Sequence, residues 1–583
     1  MNTQTSTQAW PPVAVRPDRG GFLAGLCAGR FRWDVVHPFP KQDTVDRTTG
    51  DAVLDELRQF LMTRVDPDEI DVSGRLPDGL IGELRSGGYL ALRMDPKLGG
   101  LGLSVANAFR VIEVAMSWSV PVGWCLAIQN GLGAGAYLPL LPAGPLRDLI
   151  ARRVSEGAIF SDADTDPSGA SNELRSTTAT LTADGSAYVI HGEKICIGNG
   201  PAADFLVVSA TVNDADGERV EYFFLDTSSP GFSVRSEQEF MGLKGAKIGA
   251  LTFDHVRVPR EQMLNLPEDV DTEFEVNRPA RMYIVSAPAL AIAKLCAHWS
   301  REFVNRRSID GLPLSEYDEI KRITAATLAD AFAIESVVQW CLLGESREDP
   351  DDFRLEQSAA KNITSVACWR VVDRTMSLLA AEGLETARSK AARAAQPLPV
   401  ERALRDARAL RIAGGVDFLL DKYFGETVVL SRVRETSGLD QTGGSHSAPD
   451  VLSPRNREHL RFVEAEISAF PGICRGLFGG RPLPDRVPIY VNRIANELLT
   501  MSVTLSRAAT LAAAGHAAVQ DLADVYCAAA RHRLADWWRQ ASNDNDPDYG
   551  GVAVNWLRDG RPELLLGDVI TSVPRAEVME EVS

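Results

Sequence analysis

The hydrophobic period changes twice along this chain, and that change constrains its fold more than any other feature. In residues 50–155 apolar side chains recur at three- and four-residue spacing, which is typical of amphipathic helices. Residues 157–260 instead contain short β-rich runs separated by Gly, Asp, Asn and Pro, and helical spacing returns from 270 to 435. The pattern predicts a helical domain, a β-domain of about 100 residues and a second helical domain, in that order.

A fourth block completes the chain of 583 residues, which is too long for one compact core. The polar segment ETSGLDQTGGSHSAPD separates the third block from helical spacing at residues 456–543. We therefore predict an N-terminal preface (1–49), an N-terminal helical domain (50–156), a middle β-domain (157–262), a C-terminal helical bundle (263–435), a linker (436–455) and an extra helical domain with a tail (456–583).

Charge and hydropathy exclude several classes of function. A net charge of −18 argues against a nucleic-acid-binding surface, because neutralising phosphates requires a clustered basic face. No apolar run approaches the roughly 20 residues that span a bilayer, and the N-terminus lacks a basic region followed by an apolar one. We expect a cytoplasmic protein without a transmembrane segment. The eight cysteines lack CxxC spacing, which predicts reduced, mostly buried thiols and no metal site.

Four motifs follow one another along these blocks. They are MDPKLGGLGLS (94–104), DTDPSGASNE (164–173), FMGLKGAKIGALTFDHVRVP (240–259) and VERALRDARALRIAGGVDFL (400–419). Together they resemble the acyl-CoA dehydrogenase family. The preface GGFLAGLCAGRFRWDVVHPFP and the fourth block are similar to the very-long-chain subgroup of that family. The resemblance implies an α+β multidomain fold with an N-terminal helical domain, a middle β-barrel domain, a C-terminal four-helix domain and an additional C-terminal helical domain.

The resemblance also implies FAD as the cofactor and an acyl-CoA or acyl-carrier-protein thioester as the substrate. In the family, Thr165 and neighbouring amides would bond the flavin edge, and Ser171 would contact the cofactor or pantetheine. Arg306 would reach the FAD pyrophosphate of a second subunit, which implies a homodimer. The cofactor-contacting positions are Thr165, Ser171, Cys196, Gly198, Arg306, Gly383 and Val416, and the substrate-contacting positions are Ser171, Phe274, Glu275 and Arg278.

The reacting group of the family has no counterpart in this chain. Most members remove the substrate's α-proton with a Glu that stands at Gly414 here, and a smaller group places it at Asn277. The Trp-Ile-Thr that flanks the flavin is Cys196-Ile197-Gly198, and the Thr after the reacting Glu is Val416. Each lost hydrogen bond costs about 1 kcal/mol, so we expect weakened FAD binding.

Three carboxylates are candidates for a displaced base. Asp162 and Asp164 replace apolar or aromatic residues of the family, and Glu275 lies in the segment that lines the pantetheine channel. The plainer interpretation, which we favour for Asp162 and Asp164, is that they face water in an altered loop.

Three functions remain open from the sequence. The first is an FAD-dependent acyl-thioester dehydrogenase, and the second is a non-catalytic subunit or the heteromeric partner of an active homologue. The third is altered flavin chemistry on the same scaffold. Weak or no membrane association is expected, because residues 436–450 are polar and contain no Lys or Arg.

Overall fold

The computed structural model describes residues 21–170, 172–215, 217–267, 273–344, 353–436, 448–477, 483–542, 547–559 and 568–570. Its first part is helical. The N-terminal helices are α1 (Phe22–Cys27), α2 (Trp33–Val36), α3 (Thr44–Arg64), α4 (Pro67–Ser73), α5 (Leu80–Ser86), α6 (Val105–Trp118), α7 (Val120–Gly131), α8 (Ala134–Tyr137) and α9 (Pro145–Ser155), with 3-10 turns at Tyr89–Ala91 and Pro96–Leu98.

Local sequence signals explain where the long N-terminal helices begin and which faces they bury. Asp43 caps α3 by accepting the amides of Val45 and Asp46, so this helix begins before residue 50. In α6 the fully buried Ala108, Val111, Ile112 and Ala115 recur at helical spacing. The two helices pack against each other and carry the core of this domain.

The middle region is one mixed seven-stranded sheet. Strand β1 runs parallel to β4, and β2 is also parallel to β4 over a short stretch, whereas the other pairs are antiparallel. The strands are β1 (Phe160–Ala163), β2 (Thr178–Leu181), β3 (Ala187–Gly198), β4 (Phe205–Asp214), β5 (Gly217–Asp226), β6 (Phe232–Glu237) and β7 (Ile248–Pro259), with 3-10 turns at Gly200–Ala202 and Arg260–Gln262.

Helices return after the sheet, as the hydrophobic period predicts. A small hairpin, β8 (Ser308–Ile309) with β9 (Leu312–Pro313), and a 3-10 turn at Leu314–Glu316 interrupt them. These helices are α10 (Arg278–Arg281), α11 (Ala287–Arg306), α12 (Asp318–Gly344), α13 (Arg354–Leu379), α14 (Ala381–Leu384), α15 (Ala387–Ala392), α16 (Val400–Leu410), α17 (Asp417–Phe424) and α18 (Ser431–Glu435), with π-helical turns at Glu273–Asn277, Met282–Ser286 and Gly425–Leu430.

The fourth helical region is joined to the third by a buried network of charges. It comprises α19 (Pro454–Leu477), α20 (Arg486–Ala513), α21 (Val519–Ser542) and α22 (Tyr549–Asp559). Buried Asp421 on α17 accepts hydrogen bonds from Asn492 and Arg493 on α20, and half-buried Glu335 on α12 pairs with Arg507 on α20. Because both carboxylates are withdrawn from water, each needs its guanidinium partner to offset desolvation.

Most of the predicted linker (436–455) lies outside the described residues, since the structure describes only residues 436 and 448–455 of it. Two helical segments, Glu275–Arg306 and Asp318–Gly344, are long and apolar enough to cross a membrane by length and composition alone. Their apolar windows are 78% and 67% buried inside the protein, as in core helices of a folded domain. All eight cysteines are free thiols, and all except the exposed Cys196 are buried.

Candidate functional site

The loop that follows β1 carries Thr165 and is held by one buried lysine. Lys194 is fully buried on β3, and its Nζ donates to the backbone oxygen of Asp164 at 2.9 Å and to Asp166 Oδ1 at 2.7 Å. The backbone oxygen of Thr165 accepts from the Ile195 amide at 2.8 Å, which ties the loop to β3. Thr165 is half-buried in this arrangement, while Ser171 lies outside the described residues.

Cys196 and Gly198 lie at the end of β3, where the register with β7 shifts. Cys196 is exposed at φ 58°, and its amide donates to Gln238 Oε1 at 2.6 Å. A Cβ on Gly198 would lie 2.2 Å from Ile128 Cδ1 and 3.3 Å from Trp124 Nε1. The side chains of α7 therefore fill the space that a threonine would need.

Trp124 brings an orphaned donor to this position. Its indole N–H is buried and has no hydrogen-bond partner among the residues that the structure describes. A buried donor without a partner costs about 1–3 kcal/mol, so its presence beside Gly198 points to a ligand with an acceptor atom. At this end of the site the residues therefore fit the edge of a flavin, with an indole donor near the position where the family has a threonine hydroxyl.

Gly414 is exposed in the loop between α16 and α17, and that loop is anchored through backbone oxygens. Arg281 Nε donates to the Gly414 oxygen at 2.8 Å, and Lys361 Nζ donates to the Gly415 oxygen at 2.6 Å. Burial lowers the pKa of Lys361 to about 8, an effect partly offset by nearby Asp417. Gly414 has φ 67°, and the nearest atom to a Cβ placed there is Arg281 Cγ at 3.2 Å.

The resemblance implies Arg278 as a substrate-contacting residue, and the arginine that contacts Gly414 is Arg281. Arg278 is buried and instead donates to Gln357 on α13. The two arginines differ by three residues within a short helical stretch, and the later one meets the 411–416 loop. Asn277 is half-buried at the start of α10. Phe274 lies in the preceding π-helical turn, and the structure describes only the backbone of this residue.

The three candidate bases occupy different environments. Glu275 pairs with Arg354 at 3.3 Å, and Asp164 pairs with Arg175 at 2.9 Å. Asp162 lies on β1, half-buried, and accepts a hydrogen bond from the Tyr137 hydroxyl at 3.0 Å. Burial, reinforced by the charge of Asp164, raises the pKa of Asp162 to about 7.

These environments correct the interpretation that Asp162 and Asp164 simply face water in a loop. Asp162 is part of a strand, and its side chain lies on the same face of that strand as buried Phe160. Asp164 directly follows the strand and is fixed by Arg175 and by the Ser209 hydroxyl, which donates at 2.6 Å. The turn residues nearby suggested a loop, but the pairing of β1 with β4 extends the sheet through Ala163.

The positions expected to contact the far end of FAD are only partly matched. Arg306 forms an ion pair with Glu382 of its own chain. The resemblance implies that this guanidinium would instead bind the pyrophosphate of FAD in a second subunit. Gly383 is buried, and a Cβ there would lie 2.7 Å from the Met376 oxygen, so only glycine fits. Val416 is half-buried at the N-cap of α17, where its side chain offers no hydrogen bond.

Sequence reasoning missed Trp124, Tyr137, Arg281 and Lys361, because each meets its partner across a long separation along the chain. The only signal in the sequence was a lysine followed by an asparagine in the apolar helix SAAKNITSVACW. A lysine and an asparagine on a buried helix face indicate hydrogen-bonded partners elsewhere in the fold. The sequence does not identify the loop that supplies those partners.

The loop at the start of the motif FMGLKGAKIGALTFDHVRVP docks on α16, where the carboxylate of Asp406 accepts the Leu243 amide at 2.6 Å. A Cβ on Gly242 would lie 2.4 Å from the Arg405 oxygen, so the backbones approach closely there. The same Arg405 pairs with Asp71 of α4 at 2.7 Å, so one short segment joins three parts of the molecule.

The order of a helical region, a mixed sheet and two further helical regions is the fold of acyl-CoA dehydrogenases. An acyl-CoA dehydrogenase complexed with FAD from Bacillus anthracis has a TM-score of 0.72, with 18% identity, over 94% of this chain and 95% of that one. At that identity the likeness shows the fold alone. Butyryl-CoA dehydrogenase from Megasphaera elsdenii has a TM-score of 0.57 over 65% of this chain and 97% of that one, with 23% identity.

Sequence comparisons identify the family. The acyl-CoA dehydrogenase N-terminal, middle and C-terminal domain models match residues 48–141, 163–256 and 272–419. The chain belongs to the acyl-CoA dehydrogenase family. Probable acyl-CoA dehydrogenase FadE10 of Mycobacterium tuberculosis is 30% identical over 407 residues, 68% of this chain and 61% of that relative's own length. The very long-chain specific acyl-CoA dehydrogenase of Bos taurus is 23% identical over 95% of this chain and 88% of its own.

Proposed function

We propose that this protein is an FAD-dependent acyl-thioester oxidoreductase in which Asp162, and not a carboxylate at position 414, removes the substrate proton. One observation carries the proposal. Among the described residues, Asp164 and Glu275 each pair with an arginine, whereas Asp162 accepts from the Tyr137 hydroxyl and its pKa is raised to about 7. A base is most effective when its pKa lies near the working pH.

The surroundings of Asp162 suit this role. The Tyr137 hydroxyl belongs to α8, which packs against the π-helical turn Glu273–Asn277. In the family that turn lines the channel of the thioester arm, so the carboxylate lies close to the expected path of the substrate. Tyr137 is buried among apolar side chains, and its hydroxyl stabilises the ionised form of Asp162 by donating to it.

FAD, when bound, supplies the hydride acceptor for the reaction. Trp124 and the backbone around Thr165 would hold its reactive end, and Lys194 keeps the Thr165 loop in place. Relatives are named for acyl-CoA substrates, and we propose that this chain likewise takes an acyl group on CoA or an acyl carrier protein. The buried apolar side chains of α7 and α11 exclude water from this side of the domain.

Replacing Asp162 tests the proposal directly. Asp162→Asn keeps the shape and the Tyr137 contact but removes the proton acceptor, so single-turnover flavin reduction by a saturated acyl-CoA should slow by about 10²–10⁴-fold. FAD content, read from flavin absorption, should stay unchanged. The matched control is Asp148→Asn, because Asp148 is exposed on α9. Equal rates in wild type and Asp162→Asn would refute the role of Asp162.

A second candidate function is a non-catalytic subunit or the heteromeric partner of an active homologue. Two observations favour it: the engagement of Arg306 by Glu382 and the glycine at position 414. This candidate predicts that the purified native protein lacks flavin absorption and does not reduce added FAD with any acyl-CoA. Protein that carries flavin and turns over would contradict it.

We further propose a cytoplasmic homodimer assembled through the helices of residues 280–435, with weak or no membrane attachment. Light scattering should give twice the chain mass of 63.3 kDa, and a stable monomer would contradict the assembly. Liposomes containing anionic lipid should not sediment the protein at physiological salt.

A further inference from the structure

We propose that His191, Asp254 and His255 form a binding site for a divalent transition-metal ion of the Zn²⁺ type on the surface of the middle domain. The three residues contribute two imidazoles and one carboxylate, and their candidate ligand atoms all lie within 4.8 Å of one another. The sequence analysis predicted no metal site because it considered cysteine spacing only.

The geometry of this cluster is already close to that of a metal centre. His255 Nδ1 lies 2.7 Å from Asp254 Oδ1, and His191 Nδ1 lies 3.8 Å from the same oxygen. The two imidazole rings have their centroids 4.5 Å apart. Zn–N and Zn–O bonds of about 2.1 Å in a tetrahedron place ligand atoms about 3.4 Å apart. The separations of 2.7 Å to at most 4.8 Å lie within about 1.4 Å of that spacing, and the three exposed side chains can rotate to reach it.

A β-bulge brings the three side chains together. Ile190 pairs with Val256 and Gly192 pairs with Phe253, so His191 on β3 faces both Asp254 and His255 on β7. In this bulge two residues of β7 lie opposite one residue of β3. The extra residue turns a side chain that would otherwise point to the opposite face of the sheet. His255 adopts φ 55°, a left-handed conformation that is uncommon for residues other than glycine.

The bulge is fixed by contacts that leave its side chains free to bind. The Asp254 amide donates to the Gly231 oxygen at 2.8 Å. A Cβ on Gly192 would lie 2.7 Å from the Thr177 Cα, so β3 approaches that backbone as only glycine allows. The backbone therefore presents the three ligands without depending on the ion, and binding requires only side-chain movement.

The donor set selects the class of ion. Imidazole nitrogens with one carboxylate suit Zn²⁺, Cu²⁺ or Ni²⁺, whereas Mg²⁺ and Ca²⁺ prefer oxygen ligands. Two neutral imidazoles and one carboxylate leave a divalent ion with a net charge of about +1 and an open coordination position for water. Because the ligands come from both β3 and β7, the bound ion would cross-link the strands that lead to Cys196 and Gly198.

Calorimetric titration of the EDTA-treated full-length protein with Zn²⁺ tests the site. We expect saturable binding of one ion per chain and a rise in Tm, because the ligands converge only in the folded state. His191→Ala and His255→Ala should each weaken Zn²⁺ binding by at least about 10-fold and reduce the rise in Tm. Mg²⁺ should produce neither effect. Co²⁺ should give the visible absorption of a tetrahedral nitrogen and oxygen site.

Two control variants keep the test specific. His298 is exposed on α11, outside the sheet, so His298→Ala should bind Zn²⁺ as the wild type does. Cys196→Ser should also bind normally. Wild-type protein without saturable Zn²⁺ binding would overturn the proposal, and so would unchanged binding in the His191→Ala/His255→Ala double variant. Binding that is lost in Cys196→Ser but kept in His191→Ala would likewise overturn it by assigning the ion to the thiol.

Discussion

The Thr165 loop and the Gly414 loop are held in opposite ways. The first is fixed through side chains, since buried Lys194 bonds the carboxylate of Asp166 as well as a backbone oxygen. The second is anchored at its centre through backbone oxygens, by Arg281 at Gly414 and by Lys361 at Gly415, while an ion pair between Arg411 and Asp417 joins its ends. A loop anchored by its backbone keeps its course whatever side chain it carries.

This difference explains how the Gly414 loop can keep its place in the fold with glycine at position 414. Losing the side chain at position 414 removes neither of these backbone contacts. Losing one from the Lys194 network leaves a buried charge unpaired, which costs several kcal/mol. We therefore expect mutations in the two loops to have unequal effects on stability and unequal effects on chemistry.

The largest effect is expected from Lys194→Met. Removing the buried cation leaves Asp166 without its partner, so the free energy of unfolding should fall by about 3–5 kcal/mol in urea titrations followed by circular dichroism. The control is Lys247→Met, whose pair with Glu237 is solvent-exposed and should cost less than about 1 kcal/mol. Similar losses in the two variants would remove the distinction between the loops.

Gly414→Ala should destabilise the protein less, by about 1–2 kcal/mol, because φ 67° strains any residue with a Cβ. Gly74 offers a matched control, since it has φ 66° and no atom within 4 Å of a Cβ. The excess loss in Gly414→Ala over Gly74→Ala measures the contact with Arg281.

Gly414→Glu should show a similar loss of stability and place a carboxylate beside Arg281. It should accelerate flavin reduction by acyl-CoA, although not to the rate of an intact family member, because Gly198 and Val416 are unchanged. Absence of flavin reduction in both the wild type and Gly414→Glu, even with excess FAD, would favour the non-catalytic candidate.

The pH dependence of stability should carry a smaller contribution from Asp162. Its pKa rises from 3.8 in the unfolded chain to about 7 in the folded protein, so the folded state retains the proton between those values. This contribution stabilises the fold at low pH and is lost as the pH rises through about 7. Wild-type Tm should therefore fall more between about pH 5 and pH 8 than that of Asp162→Asn. Parallel Tm profiles would contradict the raised pKa.

The smallest effect is expected at the far end of the FAD site. Glu382→Gln frees Arg306 and removes a negative charge, so FAD affinity should rise by less than about 10-fold in a fluorescence titration. Glu385→Gln is the control, because Glu385 forms a comparable pair with Arg393. A weaker affinity in Glu382→Gln would show that the ion pair orders the site.

The strands and helices were predictable because hydrophobic period is a local property. The β-rich runs of the sequence became β3 and β7, and the returning helical spacing became α11 to α13. The glycine at position 414 was recognisable because its motif is contiguous. Asp162 was interpreted wrongly, since the burial of a strand depends on what packs against it and not on its own residues.

By itself, the sequence determined the order of domains, the family resemblance and the lack of a carboxylate at position 414. Only the tertiary structure decided that Tyr137 meets Asp162, that Trp124 meets Gly198 and that a bulge gathers His191 with His255. Hydrophobic periodicity depends on residues that are close along the chain, so it can be read from the sequence. A polar site depends on side chains from distant segments arriving within a few ångströms, and packing alone brings them there.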